Sequence, residues 1–219
     1  MTRGLRSLSA VFTVILGMGL MTAGEAGADQ LTAETATATL TASQEGTDVI
    51  KFGGGEAKCT TVKYVASALT SPATTVAITP TYSNCTFAGL AGTVAMNGCT
   101  YLMHISPSAG VTTASMDIVC PNGKEITITA PNAGTVKCIE HIPAQTGLSA
   151  ATLTNVGSGA TREITVAIAL TELKYSQTPG TAESGNCATS DGKSDGTYTG
   201  KTLFTAENGS GAHVGIFLS

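Results

Sequence analysis

The chain has no tryptophan, only five tyrosines and five phenylalanines, and charged residues make up 12% of its 219 positions. With so few aromatic rings, a stacking platform for sugar rings or bases is not expected. The charges are scattered, with no run of five like signs. A basic stripe for nucleic acid or an anionic membrane is therefore missing. No apolar run reaches the length needed to cross a bilayer as a helix. There is no G-x-S-x-G nucleophile elbow, and the three histidines, His104, His141 and His213, show no short metal-ligand spacing. Neither a catalytic residue, a cofactor nor a metal ligand is assigned from the sequence.

What is present begins with an export signal. Arg3 and Arg6 give a positive start, Val11 to Met21 is an apolar or small run of 11 residues, and Ala26-Gly27-Ala28 is an A-x-A cleavage site. Cleavage after Ala28 leaves Asp29 to Ser219, 191 residues, with nine basic and fourteen acidic side chains and a net charge of −5. That length suits one β-sandwich domain over 29–219 or two tandem β modules. The six cysteines, Cys59, Cys85, Cys99, Cys120, Cys138 and Cys187, all follow the signal. An even count in an exported chain reads as three disulfides. The expected location is extracellular or at the cell surface, with no transmembrane segment in the mature chain.

Threonine is roughly a sixth of the residues, well above ordinary usage, and branched side chains favour the pleated surface of strands. Period-two alternation recurs throughout; helical periodicity of useful length does not. Strands are expected at 35–43, 48–52, 57–69, 75–82, 90–105, 113–120, 125–130, 135–142, 151–155, 162–175, 197–205 and 212–218. Gly and Pro turns between them point to an all-β fold. The expected form is an antiparallel β-sandwich, immunoglobulin-like in general architecture, with disulfide-braced hairpins.

Two hairpins can be registered by matching apolar residues. Around Ser71-Pro72, Ala66 opposite Ile78 brings Tyr64 to Pro80, Val62 to Tyr82 and Cys59 to Cys85. Strict alternation then puts Cys59 and Cys85 on the face of Thr61, Lys63, Thr79 and Thr81. Pro80 lacks a ladder donor, which suggests an edge there. Around Ser106–Thr112, Ile105 opposite Ala114 brings Met103 to Met116, Tyr101 to Ile118 and Cys99 to Cys120. Cys138 and Cys187 pair by elimination, although fifteen connectivities are formally open. In 162–175 the apolar face Ile164, Val166, Ile168, Leu170 shifts phase to Leu173 and Tyr175, as a bulge at Thr171-Glu172 would cause. Asn208-Gly209 suggests a tight hairpin pairing Leu203 with Val214 and Lys201 with Ile216.

The segments Ala57-Lys58-Cys59-Thr60-Thr61, Thr79-Pro80-Thr81-Tyr82-Ser83-Asn84-Cys85-Thr86, Asn97-Gly98-Cys99-Thr100-Tyr101 and Asp117-Ile118-Val119-Cys120-Pro121-Asn122-Gly123-Lys124-Glu125 resemble a group of exported bacterial proteins of unknown function. So do Ile142-Pro143-Ala144-Gln145-Thr146-Gly147 and Asp195-Gly196-Thr197-Tyr198-Thr199-Gly200. The resemblance covers about 57–205 and implies secretion and a β fold; it carries no site residues.

Candidate chemistry is sparse. His104 and Asp117 fall diagonally across the second hairpin, on the face opposite Met103 and Met116. An imidazole–carboxylate pair can orient a base, but no third member is marked, and a surface ion pair is the simpler meaning. Glu140 and His141 are adjacent and point to opposite faces of a strand. The stretch 191–196 has the Gly/Asp/Ser content of a solvated turn. Its likeness to a calcium loop fails at Lys193, where an oxygen ligand is needed. The leading expectation is a non-catalytic secreted protein that binds a cell-envelope component or another extracellular macromolecule, or serves structurally. The alternatives are a secreted hydrolase using His104 and Asp117 and a small-ligand carrier with a pocket between sheets.

Overall fold

A computed structural model describes residues 30–53, 55–87, 89–108, 111–132, 135–179 and 190–219. The segment 1–28, where an export signal is expected, and Cys187 lie outside the described residues. The strands are β1 (Leu31–Ala33), β2 (Thr37–Gln44), β3 (Asp48–Phe52), β4 (Gly55–Thr70), β5 (Thr75–Phe87), β6 (Leu90–Ala95), β7 (Thr100–Ser108) and β8 (Val111–Val119). They continue as β9 (Ile126–Asn132), β10 (Thr135–Ile142), β11 (Gln145–Val156), β12 (Glu163–Pro179), β13 (Ser190–Glu207), β14 (His213–Val214) and β15 (Ile216–Leu218). Every ladder between them is antiparallel. Among the described residues the helical content is a single 3-10 turn, Gly159–Thr161.

The ladders close on themselves twice. One circuit runs β2, β4, β5, β7, β8, β11, β12, β13 and back to β2. The other runs β3, β4, β5, β6, β9, β10, β12, β13 and back to β3. Both use the four long strands β4, β5, β12 and β13, but different halves of them. On β4, residues Gly55–Cys59 pair with β3, while Lys63–Thr70 pair with β2. The circuits therefore lie end to end, and their junction is called the waist below. Among the described residues, closure gives every strand of the two circuits a neighbour on each side over part of its length, which limits the open edges that invite aggregation. The separate ribbon β1–β15 is covered too. Ser71 Oγ accepts from the Ala33 N–H, and the Asn155 side chain bonds the Leu218 N–H and carbonyl.

At the waist the shorter strands part, and side chains take over the backbone partners. Gln44 donates to the Cys59 carbonyl and accepts from the Val62 N–H, bridging the stretch of β4 between the reaches of β3 and β2. Gln145 does the same for the Lys174 carbonyl and N–H of β12, between the reaches of β11 and β10. Pro80, as expected, lies where β5 has β4 on one side and neither β7 nor β6 on the other. Such substitution matters because an unpaired buried peptide group costs about 1–3 kcal/mol.

The hairpin registers hold: Ala66↔Ile78, Tyr64↔Pro80, Val62↔Tyr82 and Cys59↔Cys85 in one, Ile105↔Ala114, Met103↔Met116 and Tyr101↔Ile118 in the other. Disulfides join Cys59 to Cys85 and Cys99 to Cys120. Cys138 is disulfide-bonded, and the partner expected for it lies outside the described residues. The face of the first bridge is corrected. Cys59 and Cys85 are buried with Val62 and Tyr82, not outward with Thr61 and Thr81, because both strands change phase together at the waist. Asn84 takes φ 51° there, and its side chain donates to Thr61 Oγ1. A one-residue irregularity of this kind flips every following side chain.

Three other expectations are revised. The strand expected at 90–105 is two strands, split by a turn at Asn97 (φ 51°) and Gly98 (φ 85°). The stretch 191–196 belongs to strand β13, paired to β12, rather than to a solvated turn. After Asn208 the register is Ala206↔Val214, not Leu203↔Val214. Asn208 Oδ1 accepts from the N–H groups of Ser210 and Ala212 and the Ser210 hydroxyl, holding a longer loop than the two-residue turn. The bulge at Thr171-Glu172 is where it was expected, with a register shift between Leu170 and Leu173 and Glu172 at φ 61°.

Candidate functional site

The chemically distinctive residues fall in three places: outside the first circuit, inside the waist, and near the end of the second circuit. On the outside, β7 and β8 bring His104 Nε2 to 3.0 Å from Asp117 Oδ2. Asp117 Oδ1 accepts the Gly147 N–H at 2.7 Å, so this carboxylate ties β7 and β8 to the start of β11. These bonds, the backbone one foremost, hold Asp117 below the usual carboxylate range. Ser115 stands opposite His104 in the ladder. Among the described residues, no serine or threonine hydroxyl is hydrogen-bonded to the imidazole. The arrangement is a base and its orienting carboxylate without a positioned nucleophile.

The other histidines are also held by side chains of neighbouring segments. His141 lies 3.2 Å from Glu125 Oε2 and 2.8 Å from Thr178 Oγ1; His213 lies 3.8 Å from Glu163. Glu140, next to His141, points inward as the strand pattern requires, and is fully buried. Its Oε1 accepts from Gln177, and burial pushes its carboxyl above the ordinary value. No three His, Cys, Asp or Glu side chains cluster to hold a metal ion among the described residues.

Inside the waist sits a polar group that sequence reasoning did not single out. Asp48 on β3 is buried, and its Oδ2 accepts from Tyr64 at 2.7 Å and Tyr198 at 3.2 Å. The Tyr82 and Tyr101 hydroxyls bond each other at 3.0 Å. Desolvation raises the Asp48 carboxyl above its ordinary value and pushes the tyrosines up as well. Space for the Asp48 carboxyl comes from Gly200, where a Cβ would stand 2.2 Å from Asp48 Oδ1. The signal in the sequence was the leading Asp of the strand Asp48–Phe52, an acidic residue on an apolar face. Its tyrosine partners come from two other strands, β4 and β13.

Surface depressions line the outside of the waist, where β10 and β11 part. One of about 440 Å³ is bordered by Thr146, Gly147, Thr171, Glu172, Lys174 and Ser194. It adjoins others that share Lys174, Gln145 and Thr146 with it. No helix among the described residues is long and apolar enough to cross a membrane. No protein-family model, no curated protein and no solved structure matches the chain.

Proposed function

We propose that this is an exported bacterial protein of the extracellular space or cell surface, acting as a non-catalytic binding or structural element rather than an enzyme. On this reading the mature chain is a β-sandwich, immunoglobulin-like in the general sense of antiparallel layers packed over one core. The observation that carries it is the use made of the reactive side chains. The pair His104–Asp117 supports the reading because its carboxylate spends both oxygens clamping three strands, on His104 and the Gly147 N–H. Disulfides, closed ladders and covered edges suit a scaffold that must persist outside the cell.

The test is sedimentation of purified mature protein with cell-envelope material, alongside an assay of the same protein against ester, peptide and glycoside substrates. Retention on the envelope without turnover supports the proposal. Turnover that His104→Ala abolishes overturns it in favour of the hydrolase.

A further inference from the structure

Three non-glycine residues have a positive φ among the described residues: Asn84, Asn97 and Glu172. Asparagine tolerates this region, and both asparagines use it. Asn84 donates to Thr61 Oγ1, and Asn97 donates to the Glu125 carbonyl and Thr127 Oγ1. Glu172, at φ 61°, has neither excuse. Its side chain is exposed, and among the described residues it makes no hydrogen bond or ion pair. The bulge itself needs a residue in this conformation, but glycine would meet that need without the Cβ penalty. Strain retained where the fold gains nothing from the side chain points to a job for that side chain.

The surroundings of Glu172 indicate the job. The bulge shifts β12 against β13 between Leu170 and Leu173, just past Ile168, the last residue of β12 that β11 pairs, and the depression of about 440 Å³ opens there. Its rim carries the hydroxyls of Thr146, Thr171 and Ser194, one carboxylate at Glu172 and one ammonium at Lys174. This volume lies in the range of small-molecule sites. A carboxylate that can accept two hydroxyl donors, an ammonium that donates and three hydroxyls that do both complement a neutral, polyhydroxylated ligand. The geometry points to a saccharide-binding site in this depression, with Glu172 as the acceptor for a pair of ligand hydroxyls. The inference rests on the binding reading above and names the ligand class for it.

Saturation-transfer and titration NMR with N-acetylglucosamine, glucose and galactose test it, using wild-type mature protein, Glu172→Gly and Glu172→Gln. At least one sugar should bind the wild type, with shifts confined to Thr146, Thr171, Lys174 and their neighbours. Glu172→Gly should raise the urea midpoint, because it relieves the backbone, yet weaken the sugar at least tenfold. Glu172→Gln keeps the strained backbone and should weaken binding without raising the midpoint. Binding of no sugar, binding elsewhere, or equal binding by Glu172→Gly overturns the site. A lower midpoint for Glu172→Gly overturns the strain argument on which it stands. The envelope sedimentation separates the two proposals: retention unaffected by Glu172→Gly removes this site and leaves the binding reading intact, whereas no retention of the wild type removes that reading.

Discussion

Replacing Gly200 by alanine should damage the protein through one identifiable collision. The new Cβ would stand 2.2 Å from Asp48 Oδ1, 3.0 Å from Asp48 Cγ and 3.3 Å from the Tyr198 hydroxyl. Backbone strain does not enter, because Gly200 is not among the residues with positive φ. Asp48 is 1% exposed and cannot swing into water. Overpacking of a buried site costs about 1–3 kcal/mol. Moving the carboxyl also stretches its bonds to Tyr64 and Tyr198, each worth on the order of 1.5–3 kcal/mol when the acceptor is charged. A loss of about 3 kcal/mol is expected, equivalent to a fall in Tm of about 6–12 °C for a chain of this size. Urea unfolding followed by tyrosine fluorescence is a suitable assay, since the chain has no tryptophan to mask it. The same substitution should be made in an Asp48→Ala background, where the obstacle is gone and its cost should fall below about 1 kcal/mol. An unmoved midpoint in the first background, or equal losses in both, would refute the reasoning.

Other substitutions test the remaining contacts. His104→Ala should change stability by no more than about 0.5 kcal/mol, as for ordinary surface positions, while Tyr101→Ala should cost about 3 kcal/mol or more by emptying a core site; thermal melts of the two variants give the comparison, and equal losses would contradict the facing of β7. Gln44→Leu or Gln145→Leu should each cost about 2 kcal/mol by stranding one N–H and one carbonyl at the waist, read by urea unfolding. Because the carboxyls of Asp48 and Glu140 are raised on folding, their favourable contribution is complete below the ordinary values of 3.8 and 4.5 and is lost as pH rises through the folded values. Asp48→Asn with Glu140→Gln should therefore flatten the stability profile above about pH 4, as chemical denaturation across pH would record. Asp117 has the opposite sign: lowered on folding, it stabilises above its ordinary value of 3.8 and ceases to as pH falls through the folded value. Non-reduced peptide mapping should recover Cys59 with Cys85, Cys99 with Cys120, and Cys138 with Cys187; a Cys59–Cys99 peptide would contradict both hairpin registers.

Much of this protein was legible residue by residue. Matching apolar positions across a short loop is a local problem, so Val62 opposite Tyr82 and Met103 opposite Met116 followed from period-two alternation, and the cysteines fell into place with them. The bulge after Leu170 was legible for the same reason, since Leu173 and Tyr175 break the parity of Ile164 to Leu170. Parity failed where the irregularity left no apolar mismatch behind it. At Thr60-Thr61 and Ser83-Asn84 all four residues are polar, so the change of phase that buries Cys59 and Cys85 leaves no mark on the pattern. The His104–Asp117 contact was available from register, but the Gly147 N–H that completes it comes from a strand whose pairing no local rule predicts. The same holds for Asp48, whose tyrosines lie on β4 and β13. Alternation states which face of a strand is apolar; it does not state which distant strand lies beside it. That choice is made when the strands must cover one core together, so β2 meeting β13 and β10 meeting β12, the pairings that close both circuits, were decided by the tertiary structure alone.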